Sequence, residues 1–398
     1  METIDLAILG NEPAFDSQVH VGQPNIGNRD RLLKLIAGTL DRRWLTNNGP
    51  LVQEFERRIE DQLDVKHCIA VCNATIGLQL VSRALDLSGE VIVPSFTFCA
   101  SAQALAWCGL TPVFCDVDPV FHTIDVEQVE TLITKNTSAI LGVHLWGNAC
   151  DVQSLQQIAD RFSLRLMFDA AHAFGCSLGK SQIGNFGDAE VFSFHATKYL
   201  NSFEGGVITT NDDALAKKLR LMCNFGFQNG EVQCLGTNAK MSEISAAMGM
   251  VSLDAQDEFK AVNEQNRKEY ALQLEDIPGV ILSRVADQRV HNMQYVITEV
   301  DSDAAGLSRD ELVAILEAEN VLARKYFYPG CHRIPPFNTS ATDISDRLQV
   351  TELLCNSVLA LPTGTCVTTD TIQKICSILR LAVQHSEKLR EALRAANR

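Results

Sequence analysis

From residue 68 onward, the chain alternates short apolar runs with helical spans. The strand-like apolar runs are residues 68–72, 91–94, 112–115, 139–143 and 164–168. The helical spans between them are residues 75–85, 98–107, 126–133 and 152–162. Continuous apolar strands separated by helices are typical of a mostly parallel sheet that helices cover on both faces. The pattern therefore predicts an α/β fold.

The two ends of the chain follow other patterns. Residues 1–30 are rich in Asn, Gly and Pro and predict an extended arm, after which helical spacing begins and a second helix covers residues 51–63. A long helical pattern, broken once, runs from Met241 to Leu274. Beyond Pro278, short strands at 280–282 and 294–297 alternate with helices at 309–319, 344–357, 369–380 and 386–396. We predict an arm (1–30), a large domain (31–255) and a smaller α+β C-terminal domain (256–398) that includes the linking helix.

Composition narrows the class of protein. The 398 residues are 46% hydrophobic and 21% charged, which is usual for a soluble globular enzyme. The net charge of -15 argues against nucleic acid or a membrane as a partner. The sequence shows neither a signal peptide nor a membrane span, and its 13 cysteines are scattered without metal-ligand spacing. We expect a cytoplasmic protein with reduced thiols and no metal site.

Polar residues follow several of the predicted strands. Parallel sheets bind ligands at the carboxyl ends of their strands, so these positions mark the expected site. They are Asn73, residues 95–97, Asp116, His144 and Asp169.

Lys198 and Asp169 carry the strongest chemical signal. Lys198 follows an apolar run, has hydroxylic neighbours, and precedes a Glu204-Gly205-Gly206 turn that allows close backbone packing. It is either an ordinary surface lysine or a nucleophile whose pKa the surroundings lower. Asp169 is either a helix N-cap or the carboxylate that holds a proton on a pyridine nitrogen. Together the two residues meet the needs of pyridoxal phosphate, which a lysine binds as a Schiff base.

Two further features fit the same cofactor. His172 lies three residues after Asp169 and either faces the cofactor ring or its phenolic oxygen, or is an ordinary hydrogen-bonded histidine. The helix that starts near Thr75 presents N–H groups and the positive end of its dipole, which favour a phosphate. Thr75 is equally well explained as a helix N-cap.

The run of residues 193–198 with Glu204-Gly205-Gly206 resembles the SFHxxK…GEGG signature of the DegT/DnrJ/StrS sugar aminotransferases. Residues 169–173, 112–118 and 236–241 also match, and the resemblance extends from about residue 44 to beyond residue 337. It implies a fold-type I pyridoxal phosphate aminotransferase with a mostly parallel central sheet flanked by helices and a smaller α+β domain.

The resemblance also implies roles for individual residues. Lys198 would anchor the cofactor and move the proton, Asp169 would pair with its ring nitrogen, and His172 would lie beside its phenolic oxygen. Asn238 would reach the phosphate in the neighbouring subunit, which implies a homodimer with shared active sites. Many members have Gly where this chain has Ala74, but the amide donor survives. The remaining cofactor-binding residues implied are Ala74, Thr75 and Ser193 at the phosphate and Phe98 against the ring.

Residues 43–50, 169–175 and 326–333 resemble a branch of the family that includes the dTDP-4-amino-4,6-dideoxyglucose transaminases. That branch transfers an amino group from L-glutamate, giving 2-oxoglutarate, to the C4 keto group of a nucleotide-linked 4-keto-6-deoxyhexose by a ping-pong Schiff-base mechanism. The nucleotide implied is dTDP. The segment 324–333 is either a substrate lip or a rigid Pro-Gly loop. As a lip it offers Lys325, Tyr328, His332 and Arg333.

Three other functions compete with this one. The acceptor could be a 3-keto sugar or a cyclitol ketone, or the protein could be a sensor or regulator without catalytic activity. Related sugar dehydratases carry histidine in place of the lysine, so Lys198 argues against that activity.

Overall fold

The computed structural model describes residues 5–286, 290–339 and 344–396. Its strands, numbered along the chain, are β1 (Val19–His20), β2 (His67–Val71), β3 (Glu90–Pro94), β4 (Thr111–Cys115), β5 (Thr137–Val143), β6 (Arg165–Asp169), β7 (Ser177–Leu178), β8 (Ser181–Gln182), β9 (Ala189–Ser193), β10 (Gly206–Thr210), β11 (Phe227–Gln228), β12 (Glu231–Val232), β13 (Val280–Leu282), β14 (Val296–Val300), β15 (Val321–Leu322) and β16 (Val358–Leu361).

The α-helices lie mainly between these strands. They are α1 (Arg29–Arg42), α2 (Pro50–Leu63), α3 (Ala74–Ala84), α4 (Cys99–Trp107), α5 (Val126–Thr131), α6 (Val152–Phe162), α7 (Asp213–Cys223), α8 (Glu243–Asp254), α9 (Gln256–Leu274), α10 (Ser302–Ala305), α11 (Arg309–Ala318), α12 (Gln349–Ser357), α13 (Thr369–Gln384) and α14 (Ser386–Ala396).

Seven strands form the central sheet in the order β2-β10-β9-β6-β5-β3-β4. β10 runs antiparallel to both of its neighbours, whereas the other neighbouring strands are parallel. The mostly parallel sheet predicted from the sequence is therefore confirmed. β6 and β9 lie side by side with Asp169 opposite Val191, so the strand that ends at Asp169 adjoins the strand that leads to Lys198.

Helices cover both faces of the sheet. Along β3, Val91 and Val93 pack in one apolar cluster and Ile92 packs in another. Because successive strand residues point to opposite faces, these clusters lie on opposite sides of the sheet. The first contains residues of α3, α4 and α7, and the second contains residues of α5 and α6. This double burial explains why the strands are continuous apolar runs rather than alternating ones.

A second apolar core lies towards the C-terminus. The antiparallel sheet β13-β14-β16 packs there with residues of α9, α11 and α13, in the region for which the sequence predicts an α+β domain. The predicted break in the long helical pattern falls at Ala255, between α8 and α9. The domain boundaries themselves stay a prediction. None of the described helices is long and apolar enough to cross a membrane.

The N-terminal arm is packed against the rest of the chain. Leu6 is buried in the second core, and β1 pairs in parallel with β15. The buried carboxylate of Glu319 accepts hydrogen bonds from the backbone N–H groups of Ala7 and Ala14. The arm therefore runs along the C-terminal region before it reaches α1.

Glu243 supplies the N-terminal cap that α2 lacks. The N-cap residue of α2 is Gly49, which has no side chain to accept a hydrogen bond. The fully buried carboxylate of Glu243 accepts instead, from Leu51 N at 2.9 Å and Val52 N at 3.0 Å. The carboxylate thus pairs N–H groups of the helix that would otherwise lack an acceptor, and its negative charge interacts favourably with the positive end of the helix dipole.

We predict that Glu243→Gln lowers the free energy of unfolding by about 2 kcal/mol, because the new NH₂ group faces a backbone N–H donor. Glu54→Gln, on the exposed side of α2 where Glu54 pairs with Arg57, should cost less than about 1 kcal/mol. Urea unfolding followed by circular dichroism measures both variants. Equal midpoints for the two would contradict the capping role.

Candidate active site

A cavity of about 520 Å³ opens at the carboxyl ends of the central strands. Residues that follow β2, β3, β6 and β9 meet in it, as expected for a parallel sheet. Seven of the predicted site residues line this cavity. They are Ala74, Thr75, Phe98, Asp169, His172, Ser193 and Lys198.

Lys198 lies on the loop between β9 and β10. Its Nζ donates a hydrogen bond to the hydroxyl of Tyr295 at 3.3 Å. Burial lowers the pKa of Lys198 to about 8, because an ammonium loses water in this position, and the charge of Asp169 opposes the shift only in part. The turn after the lysine needs glycine: a Cβ on Gly206 would lie 2.5 Å from Phe192 O and 3.0 Å from Ala74 N.

Asp169 is buried at the end of β6. Its Oδ2 accepts a hydrogen bond from Ser101 Oγ at 2.7 Å, and its Oδ1 accepts from Ala171 N at 3.0 Å. Burial raises the pKa of Asp169, while these two bonds and the charge of Lys198 stabilise the carboxylate. A cationic ring nitrogen beside Asp169 would compensate the buried charge, because it would give the carboxylate an ionic partner.

His172 is held as a neutral hydrogen-bond donor. Its Nδ1 accepts from the backbone N–H of Trp146 at 3.3 Å, so the proton of the neutral ring is on Nε2. Burial, aided by the charge of Lys198, lowers the pKa of His172 well below its usual range. The imidazole stacks on the Trp146 indole, with ring centroids 5.5 Å apart, and lies 4.3 Å from the ring of Tyr295.

The N-terminus of α3 can hold an anion. Asn73 is the N-cap, and its Oδ1 accepts from Ile76 N at 2.9 Å. Among the described residues, no protein acceptor meets the amides of Ala74 and Thr75, and both residues line the cavity. Thr75 and Ser193, which both carry a hydroxyl group, also line the cavity. Exposed N–H groups at a helix start favour a phosphate.

These three features fit pyridoxal phosphate. The end of α3 would take its phosphate, Asp169 its ring nitrogen, and Lys198 its aldehyde carbon. Phe98, which is 56% exposed, lines the cavity at its rim, where its phenyl group could stack on the cofactor ring. The roles of these side chains nevertheless stay predictions.

Asn238 and the four predicted substrate residues lie away from this cavity. Asn238 is exposed on a segment that forms an isolated β-bridge with Asn224. His332 is buried between Ser95 Oγ and Glu352 Oε1, each at 2.7 Å. Arg333 binds Glu352 and Ser345. Lys325 and Tyr328 contact each other, with Lys325 Nζ 5.4 Å from the centre of the Tyr328 ring. Lys325 Nζ also lies 3.3 Å from Asp310 of helix α11.

The same segment reaches the cavity through Tyr326 and Phe327 instead. Sequence reasoning missed these two residues, and it also missed Tyr295, Ser101 and Trp146. Tyr295 is 97 residues from the lysine it contacts, so no local pattern marks it. Ser101 lies inside an apolar helix, where its position on the same side as Asp169 could be noticed only after the sheet order was known.

A half-buried lysine with a lowered pKa, a strand-end carboxylate and an anion-binding helix end, all at one edge of a parallel sheet, define a pyridoxal phosphate enzyme of the aminotransferase type. The model of the DegT/DnrJ/EryC1/StrS aminotransferase family matches residues 28–380. The chain belongs to this family, and it is a sugar aminotransferase that depends on pyridoxal phosphate. The family and the cofactor predicted from the sequence are thereby confirmed.

Several known proteins are similar along nearly the whole chain. The dTDP-4-amino-4,6-dideoxy-D-glucose transaminase of Shigella dysenteriae is 35% identical over 369 residues, which are 92% of this chain and 99% of that protein. The dTDP-3-amino-3,6-dideoxy-alpha-D-galactopyranose transaminase of Aneurinibacillus thermoaerophilus is 31% identical over 361 residues, 89% and 95% of the two chains. The crystal structure of DesI in the presence of its TDP-sugar product superposes with a TM-score of 0.94 and 46% identity, covering 98% of this chain and 99% of that one.

The lowered pKa of Lys198 predicts how the apoenzyme captures pyridoxal phosphate as the pH changes. Only the neutral amine attacks the aldehyde, so the capture rate should rise with pH up to about 8 and level off above about 9. Stopped-flow absorbance between pH 6.5 and 9.5 measures this rate. A lysine with an ordinary pKa would give a rate that still rises about tenfold per pH unit at pH 9.5, and that result would contradict the assignment.

Ser101→Ala tests the support of Asp169. The variant removes the hydroxyl that stabilises the carboxylate, so the pKa of Asp169 should rise further and its pairing with the ring nitrogen should weaken. We expect cofactor affinity to fall about tenfold, measured by titrating apoenzyme with pyridoxal phosphate. Ser82→Ala is the matched control, because Ser82 is equally buried but donates to Leu78 O. An equal loss in both variants would count against the role of Ser101.

Proposed function

We propose that the enzyme transfers the amino group of L-glutamate to the C4 keto group of a nucleotide-linked 4-keto-6-deoxyhexose, with dTDP as the nucleotide and 2-oxoglutarate as the co-product. The observation that carries the proposal is the similarity, over 98% of the chain, to DesI, whose crystal structure was determined in the presence of its TDP-sugar product. The Shigella relative, a transaminase named for a 4-amino-4,6-dideoxy sugar, supports C4 as the carbon that is aminated.

The residues of this chain divide the work of the reaction. When bound, pyridoxal phosphate supplies an electron sink that lets the bond from carbon to hydrogen next to the amine break. Lys198 holds the cofactor and then carries the proton between the two carbons, which its pKa near 8 permits at neutral pH. Asp169 keeps the ring nitrogen protonated, and the neutral His172 offers an N–H to an oxygen of the ring.

The walls of the cavity suit a sugar. Tyr326, Phe327 and Phe98 present aromatic surface near Lys198, and such faces contact the C–H groups of a hexose while excluding water. His195 lies on the rim, where its Nδ1 contacts the hydroxyl of Thr197 at 2.9 Å. Its Nε2 lies 3.6 Å from Glu204 Oε1, so an acidic group of the same chain already faces the imidazole.

A homodimer with shared active sites is part of the proposal. Asn238 is exposed outside the cavity of its own chain, as needed for a residue that reaches the cofactor phosphate of a neighbour. Large apolar side chains are exposed on the nearby hairpin β11–β12 and on the segments beside it, which favours their burial against a second copy. They are Phe225, Phe227, Val232 and Leu235.

Amination at C3 is the main competing reaction. The Aneurinibacillus relative, named for a 3-amino-3,6-dideoxy sugar, also matches most of the chain. Amination of a cyclitol ketone also competes with amination at C4. One assay distinguishes these three reactions.

The test is to incubate the enzyme with L-glutamate and a panel of acceptors: dTDP- and GDP-linked 4-keto-6-deoxyhexoses, a dTDP-linked 3-keto-6-deoxyhexose, and a cyclitol ketone. Mass spectrometry and NMR then identify the carbon that carries nitrogen. We expect amination at C4, with the dTDP sugar preferred at least about tenfold in kcat/KM.

Lys198→Ala serves as the blank, because it keeps the fold but removes the nucleophile. Amination only at C3, or only of the cyclitol, would refute the substrate assignment. Turnover with L-alanine or L-glutamine but not with L-glutamate would refute the donor. If the wild-type enzyme binds the cofactor but aminates none of the acceptors, the proposed acceptor is wrong.

A further inference from the structure

A network of buried side-chain amides lies behind Lys198. Its members come from the N-terminal arm, the loop of Lys198, helix α9 and the segment before β14, and each is at most 5% exposed. Buried amides are costly unless they are paired, so such a cluster fixes the position of whatever it binds. The members are Asn25, Asn201, Asn263, Asn292 and Gln294.

Asn25, in the arm, joins the two sides of the lysine. Its backbone oxygen accepts from Asn201 Nδ2 at 2.5 Å, and Asn201 lies three residues beyond Lys198 on the same loop. The side-chain Nδ2 of Asn25 donates to Gln294 Oε1 at 3.2 Å. Gln294 directly precedes Tyr295, whose hydroxyl accepts from Lys198 Nζ. One fully buried residue therefore connects the neighbours of both members of the Lys198–Tyr295 pair.

The rest of the network keeps this connection in place. Asn25 Oδ1 accepts from the backbone N and the hydroxyl of Thr365 at 3.0 and 3.1 Å. Gln294 Oε1 also accepts from Asn263 Nδ2 at 3.0 Å, and Gln294 N donates to Asn292 Oδ1 at 3.0 Å. Asn292 in turn donates to the backbone oxygen of His172 at 2.9 Å. The network thus ends at a second residue of the cavity.

The arm also touches the lysine loop directly. Gly22 has φ +84°, and a Cβ added there would lie 3.0 Å from Thr197 Cβ. Val21 and Gly22 enclose, with Lys198, Gln294 and Tyr295 among others, a small cavity of about 30 Å³. The arm therefore forms part of the wall of a second, small cavity beside Lys198.

We infer that Asn25 is a positioning residue, which sets the contact between Lys198 and Tyr295 and through it the efficiency of proton transfer. The inference rests on the proposed role of Lys198. A simpler explanation is that Asn25 merely fastens the arm. The arm, however, has separate anchors in Glu319 and in Asn320, whose Nδ2 donates to Phe15 O at 2.8 Å. Fastening alone therefore does not require a link to both Asn201 and Gln294.

A double-mutant cycle between Asn25→Ala and Tyr295→Phe tests the inference in the holoenzyme. Small displacements of a reacting group cost large factors in rate, so Asn25→Ala should lower kcat about tenfold while KM for L-glutamate stays within about twofold. Because Asn25 acts through Tyr295, the same substitution should lower kcat less than about twofold in the Tyr295→Phe background. The pH midpoint of the absorbance of the bound cofactor should shift in the same direction in both single variants.

Asn320→Ala is the matched control, since it removes an amide hydrogen bond of the same arm and should leave kcat and the midpoint unchanged. Equal losses of kcat from Asn25→Ala in both backgrounds, or none in either, would overturn the inference. If Asn25→Ala is insoluble, Thr365→Val removes one hydroxyl bonded to Asn25 and enters the same cycle, with a smaller effect expected. A wild-type enzyme without the cofactor band would instead contradict the role of Lys198.

Discussion

Removing one lysine amine from water is the constraint on which the active site depends. Burial in the cavity makes the ammonium form of Lys198 costly, so its pKa is about 8 rather than the ordinary lysine value of 10.5. Buried polar groups are stable only with partners, and the fold provides them: Tyr295 at Nζ, with Asp169 supplying an opposing charge nearby. Burial likewise lowers the pKa of His172, so the same cavity favours the neutral forms of both Lys198 and His172.

The sheet delivers these groups to one place for topological reasons. β6 and β9 are adjacent and parallel, so Asp169 and the loop of Lys198 emerge at the same edge. α3 begins at that edge too, and Gly206 lets its first amide approach the strand behind the lysine. The C-terminal region adds Tyr326 and Phe327, which line the cavity, and Tyr295, which contacts Lys198 Nζ. Each of these elements is common in proteins, and the chemical potential of the site comes from their position around one cavity.

The features that could be predicted from the sequence are those that leave a pattern among neighbouring residues. Apolar runs buried on both faces marked the parallel strands. Asp169 was visible because it ends such a run, and Lys198 because it comes five residues after the end of another. Contacts between distant segments left no pattern: Asn25 is 269 residues from Gln294. Strand β16 went unnoticed because it follows α12 without a turn. The lip was predicted from charge and aromaticity, yet Lys325, Tyr328, His332 and Arg333 bind protein groups, while Tyr326 and Phe327 face the cavity.

The central claim is that Lys198 is the covalent anchor of the cofactor, and reductive trapping tests it most directly. The purified enzyme is treated with borohydride, digested, and mapped by mass spectrometry. We predict loss of the visible absorbance band and a single pyridoxyl modification, on the peptide that contains Lys198. A modification at another lysine such as Lys240, or an enzyme that turns over with no trapped cofactor at all, would contradict this role.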